Sequence, residues 1–198
     1  MKGCIMQTLS HVYDSYPQAE RAVKALEAAG VPSSDISLVA NKYVSDTYAN
    51  VDEAHPTATG AGIGAVVGGG AGLLTGLGLM AIPGLGPVVA AGWLATTALG
   101  TVAGSATGGV IGALVGAGTS EDHAHVYSEA VRRGGTLVTV RHDLPNGKVE
   151  GILNASNPID PVARRNEYRK DGWKQFDPKA PAYQPNQAEL ERIRRTTI

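Results

Sequence analysis

An α+β fold is predicted from three observations. A strand–helix–strand pattern opens the chain, a helix–strand pattern resumes after residue 118, and between them lies a long apolar segment without charge. At 198 residues the chain has room for one domain with an insertion. Its net charge is -1 and its basic residues lie outside the apolar middle, so no positive face is available to grip a phosphate backbone and nucleic acid is not an expected partner. The single cysteine, Cys4, excludes an internal disulfide and a multi-Cys zinc knuckle, and fits a reducing compartment. The opening "MKGCIMQTLSHVYD" lacks the apolar core of a secretory signal, and Cys4 stands too early for lipoprotein processing, so cytoplasmic termini are expected.

The elements follow in order. "QTLSHVYD", residues 7–14, has β-compatible residues; Asp14 or Ser15 would cap the next helix, and Pro17 suits its first turn. Ala19, Ala22, Val23 and Leu26 form one apolar helical face, which Gly30 ends. "DISLVANK", residues 35–42, is the second strand. Beyond the apolar segment, "TSEDHAHVYSEAVRRGG" predicts a helix capped by Ser120, with Glu121 and Asp122 in the first turn and Arg132 and Arg133 in the last. "TLVTVRHD", residues 136–143, is the third strand; a short helix near 148–154 and an extended "PIDP" complete the pattern. These pieces predict a split ferredoxin-like sandwich, with residues 1–56 as its first half, 57–118 as an inserted hairpin, 119–162 as its second half and 163–198 as an extended C-terminal arm.

The inserted segment is the most distinctive. From Pro56 to Ser120 there is no Asp, Glu, Lys, Arg or His, and nineteen of the 26 glycines fall there. Many stand four apart: Gly60, Gly64, Gly68, Gly72 and Gly76, then Gly100, Gly104, Gly108, Gly112 and Gly116. On a helix such spacing draws a smooth stripe along which a second backbone approaches closely, which offsets the ~1 kcal/mol that each glycine costs a helix relative to alanine. "IPGLGP", with Pro83, Gly84, Gly86 and Pro87, would end one helix and begin another, giving a glycine-zipper helical hairpin. A first arm over residues 60–81 would be ~33 Å long, near the thickness of bilayer hydrocarbon. Thr75, Thr96, Thr97, Thr101 and Thr107 would return hydroxyl hydrogen bonds to helix carbonyls, and Trp93 would sit near an interface or simply pack. "GAGIGA" and "GLGLMA" match a dinucleotide-loop pattern, but no strand precedes the first, the second lies inside the repeat, and no Lys follows either.

"VYDSYPQAERAVKALEAAGVPSSDISLVANK", "IPGLGP" and "YSEAVRRGGTLVTVRHD" resemble a bacterial family of general or heat-induced stress proteins, whose ferredoxin-like domain often carries a glycine-rich apolar insertion. The likeness covers most of residues 8–143. It implies a stress-linked, non-enzymatic protein and transfers no catalytic residue. In the arm, Trp173, Phe176 and Tyr183 stand among prolines and need an apolar surface to cover, on their own domain or a neighbour.

No catalytic constellation is expected. His123 and His125 are two apart on a helix and point in different directions, and His55 lies in the polar stretch before the glycines. His11 and His142 fall on strands that would be neighbours, with no carboxylate or Cys cluster beside them. Asp14 and Asp143 end those strands and are read as capping and turn residues. Cys4 has no activating base. No metal, cofactor or enzymatic activity is therefore expected. The function expected is that of a stress-associated homo-oligomer in a bacterial inner membrane, with both termini cytoplasmic. The alternative is a cytoplasmic particle that buries its hairpins, around lipid or another apolar cargo; a pore ranks below both because the arms supply no selectivity ring.

Overall fold

The computed structural model describes residues 6–41, 78–82, 85–94, 97, 109–180 and 183, with backbone alone at 78–81, 86 and 87. Strand β1 (Gln7–Tyr13) leads into helix α1 (Tyr16–Ala28) and, through a short 3-10 turn at Ser33–Asp35, into β2 (Ile36–Asn41). Strands β3 (Gly78–Ile82) and β4 (Gly86–Ala91) come next, then α2 (Val110–Gly116), α3 (Glu121–Arg132), β5 (Thr136–His142), α4 (Asn146–Asn154) and α5 (Pro161–Lys170).

Local chemistry fixes the helix ends. Ser15 is the N-cap of α1 in extended conformation, and Gln18 Oε1 accepts from its backbone N–H at 3.1 Å and from its hydroxyl at 3.0 Å. Ser120 caps α3 by accepting from His123 N–H, and Asp160 caps α5 by accepting from Val162 and Ala163 N–H at 2.8 and 3.2 Å. Four helices end alike: Gly30, Gly118, Gly134 and Gly172 take positive φ, and the N–H two residues beyond the helix cap bonds back into the last turn, as from Trp173 to Tyr168 O at 3.1 Å.

The sheet order is β1-β5-β2-β4-β3, with every neighbouring pair antiparallel. Consequently β1 and β2 are parallel with β5 between them, and β4 and β5 are parallel with β2 between them: two interleaved β-α-β units. One sheet face, bearing Val12, Val39, Val88, Ala90 and Leu137, packs against α2, α3 and α5. The opposite face, bearing Tyr13, Leu38, Ala40, Val138 and Val140, packs against α1 and α4, and Tyr13 Oη donates to Leu153 O at 2.9 Å.

Three expectations are corrected. First, the mixed α/β chain has helices on both sheet faces, not the one-sided sandwich expected of a ferredoxin-like fold. Its last strand is also inside and its first at the edge, where the ferredoxin-like order has them exchanged. Side-chain pattern explains the placement. Strand β2 is buried throughout and β5 everywhere except Arg141, which suits inner strands, whereas β1 places Thr8, Ser10 and His11 among its apolar residues and is only partly covered over its first half. Second, residues 78–82 and 86–91 form a β-hairpin, where the sequence predicts the ends of two helical arms and the Pro/Gly turn between them. "GLMAI" and "GPVVAA" are short apolar runs bounded by Gly and Pro, and such runs, when buried, carry no period that separates strand from helix. Leu85 N–H donates to Ile82 O at 3.0 Å and closes the turn, while Gly86 and Pro87 already belong to β4; Pro83 and Gly84 lie outside the described residues. Ile82, Leu85, Val88 and Val110 share one core, so the 57–118 segment is not a separate insertion where it is described. Third, residues 163–170 are helical, and the residues described after Lys170 form turns and bends in place of an extended arm.

Candidate functional site

Two regions carry the predicted site residues. The glycine runs form the first. Gly60, Gly64, Gly68, Gly72, Gly76, Gly100, Gly104 and Gly108 lie outside the described residues. Gly112 and Gly116 are on α2, whose Val110, Ile111, Ala113 and Leu114 are buried. The two glycines occupy the other side of the helix: Gly112 is half-buried, Gly116 is exposed with nothing within 4 Å of a Cβ placed there, and neighbouring Val115 is 43% exposed. This end of the stripe therefore faces away from the domain's own core. The hairpin determines where the runs leave the sheet. Gly78 pairs with Ala90 at the open end of β3 and β4, so the stretch that ends at Gly76 and the stretch that begins at Gly92 meet the sheet side by side. The chain reversal expected between two helices at "IPGLGP" lies between two strands instead, and the two runs still join the domain at one place.

At that place the backbone is tightly packed. Gly92 has φ +91°, and a Cβ there would stand 2.3 Å from Ile36 O and 2.7 Å from Ser37 Cα. Ser37 Oγ donates to Ala91 O at 2.9 Å beside it. Only glycine allows β4 to turn away against the start of β2.

The second region is the arm and the helix surface beneath it. Trp173 follows the α5 cap and meets Tyr168 edge-on at 5.6 Å between ring centroids. Phe176 is 2% exposed within the core cluster, Trp173 packs against that cluster, and Tyr183 lies with its ring 5.3 Å from the Arg132 guanidinium. Beneath them, Glu129 is buried and accepts from Arg132 at 2.9 Å (Nε) and 2.6 Å (Nη2) and from Arg133 Nε at 2.6 Å. Arg133 then stands 4.3 Å over the Tyr168 ring. One carboxylate thus orients two guanidinia, and each meets an aromatic ring of α5 or the arm. Burial alone would lower the Arg133 pKa, but the hydrogen bond and charge of Glu129 hold it above its ordinary value. Tyr168 is raised, chiefly by burial, with Arg164 and Arg133 opposing. Arg164 Nη2 donates to both Asp14 carboxylate oxygens, at 2.7 and 2.8 Å, and Arg165 Nη1 meets Asp122 at 3.1 Å, so α5 is tied to the ends of β1 and α3. Sequence reasoning missed Glu129, Arg164 and α5 itself; the signal available was "DP" at Asp160 and Pro161, an N-cap followed by a first-turn proline.

Among the described residues, the titratable groups singled out in the sequence stand apart. His11 lies opposite Val138 and His142 opposite Gln7, four residues apart along the ladder. Asp14 and Asp143 are at opposite ends of it, and Asp14 serves as the partner of Arg164 instead of capping α1. His142 Nδ1 is 3.1 Å from Leu144 O, His125 is 4.0 Å from Glu121, and the His123 ring is tilted 42° to that of Tyr127, with centroids 6.1 Å apart. No group of three His, Cys, Asp or Glu side chains able to hold a metal occurs among the described residues. Cys4 and His55 lie outside those residues.

His11 has one measurable consequence. Burial lowers its pKa below the ordinary 6.5, against the opposing charge of Glu150 and a hydrogen bond with Asn154. The unfolded chain therefore takes up a proton first as pH falls, and the stability from the neutral imidazole is complete above pH 6.5 and lost below it. His11→Gln is expected to flatten the stability-against-pH profile below pH 6.5, measured by urea unfolding. An unchanged slope would show that His11 is not the group responsible.

No protein family, curated protein or solved structure matches this chain.

Proposed function

We propose that the chain is a non-enzymatic, stress-associated scaffold that self-assembles through its uncharged glycine runs, each run packing against a second copy. The observation that carries this reading is the pairing of Gly78 with Ala90, from which both runs depart together at the open end of one hairpin. The outward position of Gly112 and Gly116 on α2 supports it further. The stress association rests on the resemblance of the flanking segments to general stress proteins.

Chain length favours self-assembly over a bilayer-crossing hairpin. Strands β2 and β3 belong to one sheet, so the 36 positions 42–77 would have to leave and return on the same side of a membrane. Two crossings need about 40 apolar residues, and 42–55 is charged. The 18 positions 92–109 are shorter still. Among the described residues no helix is long and apolar enough to cross a membrane.

The test is the mass of the full chain by light scattering in detergent-free buffer, beside Gly68→Leu and Gly108→Leu. Either substitution is expected to reduce the particle to smaller species while the far-ultraviolet spectrum of the sheet domain is kept. Unchanged mass in both variants overturns the reading, and wild-type protein held in carbonate-washed membranes would favour the bilayer as the partner.

A further inference from the structure

Strand β1 stands at the edge of the sheet, bonded on one side to β5 through seven consecutive pairs without a bulge. The chain passes from α4 on one face of the sheet to α5 on the other by rounding this edge, and there Ile159 N–H donates to Val12 O at 2.8 Å. That bond fixes the parity of the strand. In an antiparallel ladder the N–H and C=O of one residue point to the same side, and those of the next residue to the other. Val12, Ser10 and Thr8 therefore present both groups outward, while Gln7, Leu9, His11 and Tyr13 bond β5. Among the described residues no backbone group bonds the outward N–H or C=O of Thr8 or Ser10. Edge strands are ordinarily guarded by lysine, proline or a bulge, and Gln7–Tyr13 has none of the three.

We infer that β1 pairs with β1 of a second copy, antiparallel and across a two-fold axis at Leu9. The register follows from the free groups. With Leu9 opposite Leu9 of the second copy, Thr8 meets the second copy's Ser10 and Ser10 its Thr8, so every open N–H and C=O of both residues is used. A pairing centred on Ser10 would set Thr8 against Val12, whose carbonyl Ile159 already occupies. One centred on Thr8 would set Ser10 against Met6, outside the strand. The side chains fit the same centre. Leu9 lies on the face covered by α1 and α4, only partly buried against that core, and in the closely spaced central pair it gains the cover that an edge position lacks. Gln7 and His11 meet as the next pair on that face, and no Asp, Glu, Lys or Arg occurs from Gln7 to Tyr13, so the two-fold opposes no like charges. A two-fold contact uses one patch twice and leaves neither β1 edge open. Strand β3, beside which the glycine runs leave, forms the opposite edge of the sheet, so this interface is separate from theirs and does not rest on it.

The experiment uses the full-length chain with Cys4→Ser and one new cysteine, oxidised mildly in detergent-free buffer. Leu9→Cys is expected to give a disulfide-linked dimer, because the Cα atoms of such a central pair stand about 4.5 Å apart, within disulfide reach. Thr8→Cys lies two positions out of register with its own mate, about 8 Å away, and is expected to cross-link several-fold less. Thr8→Pro added to Leu9→Cys removes an outward N–H and no bond to β5, and is expected to abolish the dimer while the far-ultraviolet spectrum is kept. Equal yields at positions 8 and 9, no dimer at position 9, or a dimer that survives Thr8→Pro overturns the inference. The position 9 cross-link is also expected in Gly68→Leu, whatever happens there to the mass of the particle. Its loss in that background would make the edge contact a by-product of glycine-run packing and overturn it as an interface of its own.

Discussion

Gly92→Ala is expected to cost about 4 kcal/mol or more of folding stability, a loss at the exceptional end for a single methyl group. The added Cβ would lie 2.3 Å from Ile36 O and 2.7 Å from Ser37 Cα, and both obstacles are backbone that no rotamer change removes. The φ of +91° adds strain that an L-residue rarely accepts. For a chain of this size each kcal/mol moves the melting temperature by about 2–4 °C, so a fall of roughly 8–16 °C is predicted. Gly109→Ala is the control. Its φ of +80° and ψ of -150° carry a conformational penalty of about 1–3 kcal/mol, but nothing lies within 4 Å of the new methyl, so no steric cost adds to it. The pair also separates the two architectures. In a helical hairpin, alanine at position 92 would help by up to ~1 kcal/mol, because glycine is the poorer helix former. The sign of the change, and not only its size, reports which structure is present.

Glu129→Ala is expected to cost about 3 kcal/mol, or roughly 6–12 °C in melting temperature. The carboxylate is 1% exposed and accepts from two arginines, so its removal leaves two guanidinia clustered without a counter-charge. Their side chains keep 16% and 27% exposure, which limits the penalty to the lower part of the range for a broken buried pair. Glu129→Gln retains the shape and one acceptor oxygen and is expected to fall between wild type and alanine. A second readout follows the arm. Loss of orientation at Arg132 and Arg133 should loosen the arm, so protease cleavage after Lys174 or Lys179 is expected to accelerate in Glu129→Ala at temperatures where the sheet remains folded. Destabilisation without faster cleavage would mean that Glu129 serves the α3–α5 contact alone.

Much of the local structure was legible in the sequence. Ser15 and Ser120 occupy the predicted cap positions, Gly30 ends α1, and all three strands outside the apolar segment are where alternation and β-branched residues placed them. What misled was the uncharged segment. A four-residue glycine repeat is a helical signal only if the residues between the glycines continue one helix, and "GLMAI" and "GPVVAA" share the repeat's composition without its structure. Strand order was hidden for a different reason. Antiparallel pairing of β5 with both β1 and β2 is a long-range choice, decided by which strands are apolar on both faces, and three elements known only by their type leave that choice open. The arm was half legible: spaced aromatics among prolines announced a segment in need of a surface, while the surface itself depends on Glu129, which in sequence is one more acidic residue in a charged helix.

The account turns on residues 78–82 and 86–91 being strands of the domain's sheet, because that placement joins the two glycine runs to the open end of one hairpin and rules against a helical hairpin turning at "IPGLGP". Carbon-13 Cα and Cβ chemical shifts of these residues in the full-length protein, by solution or solid-state nuclear magnetic resonance according to particle size, test it most directly. Strand-type shifts at 78–82 and 86–91, with cross-strand contacts between Val39 and Ala90, are the predicted result. Helix-type shifts running through 78–81 and 88–91 would contradict it and return the chain to the bilayer hairpin.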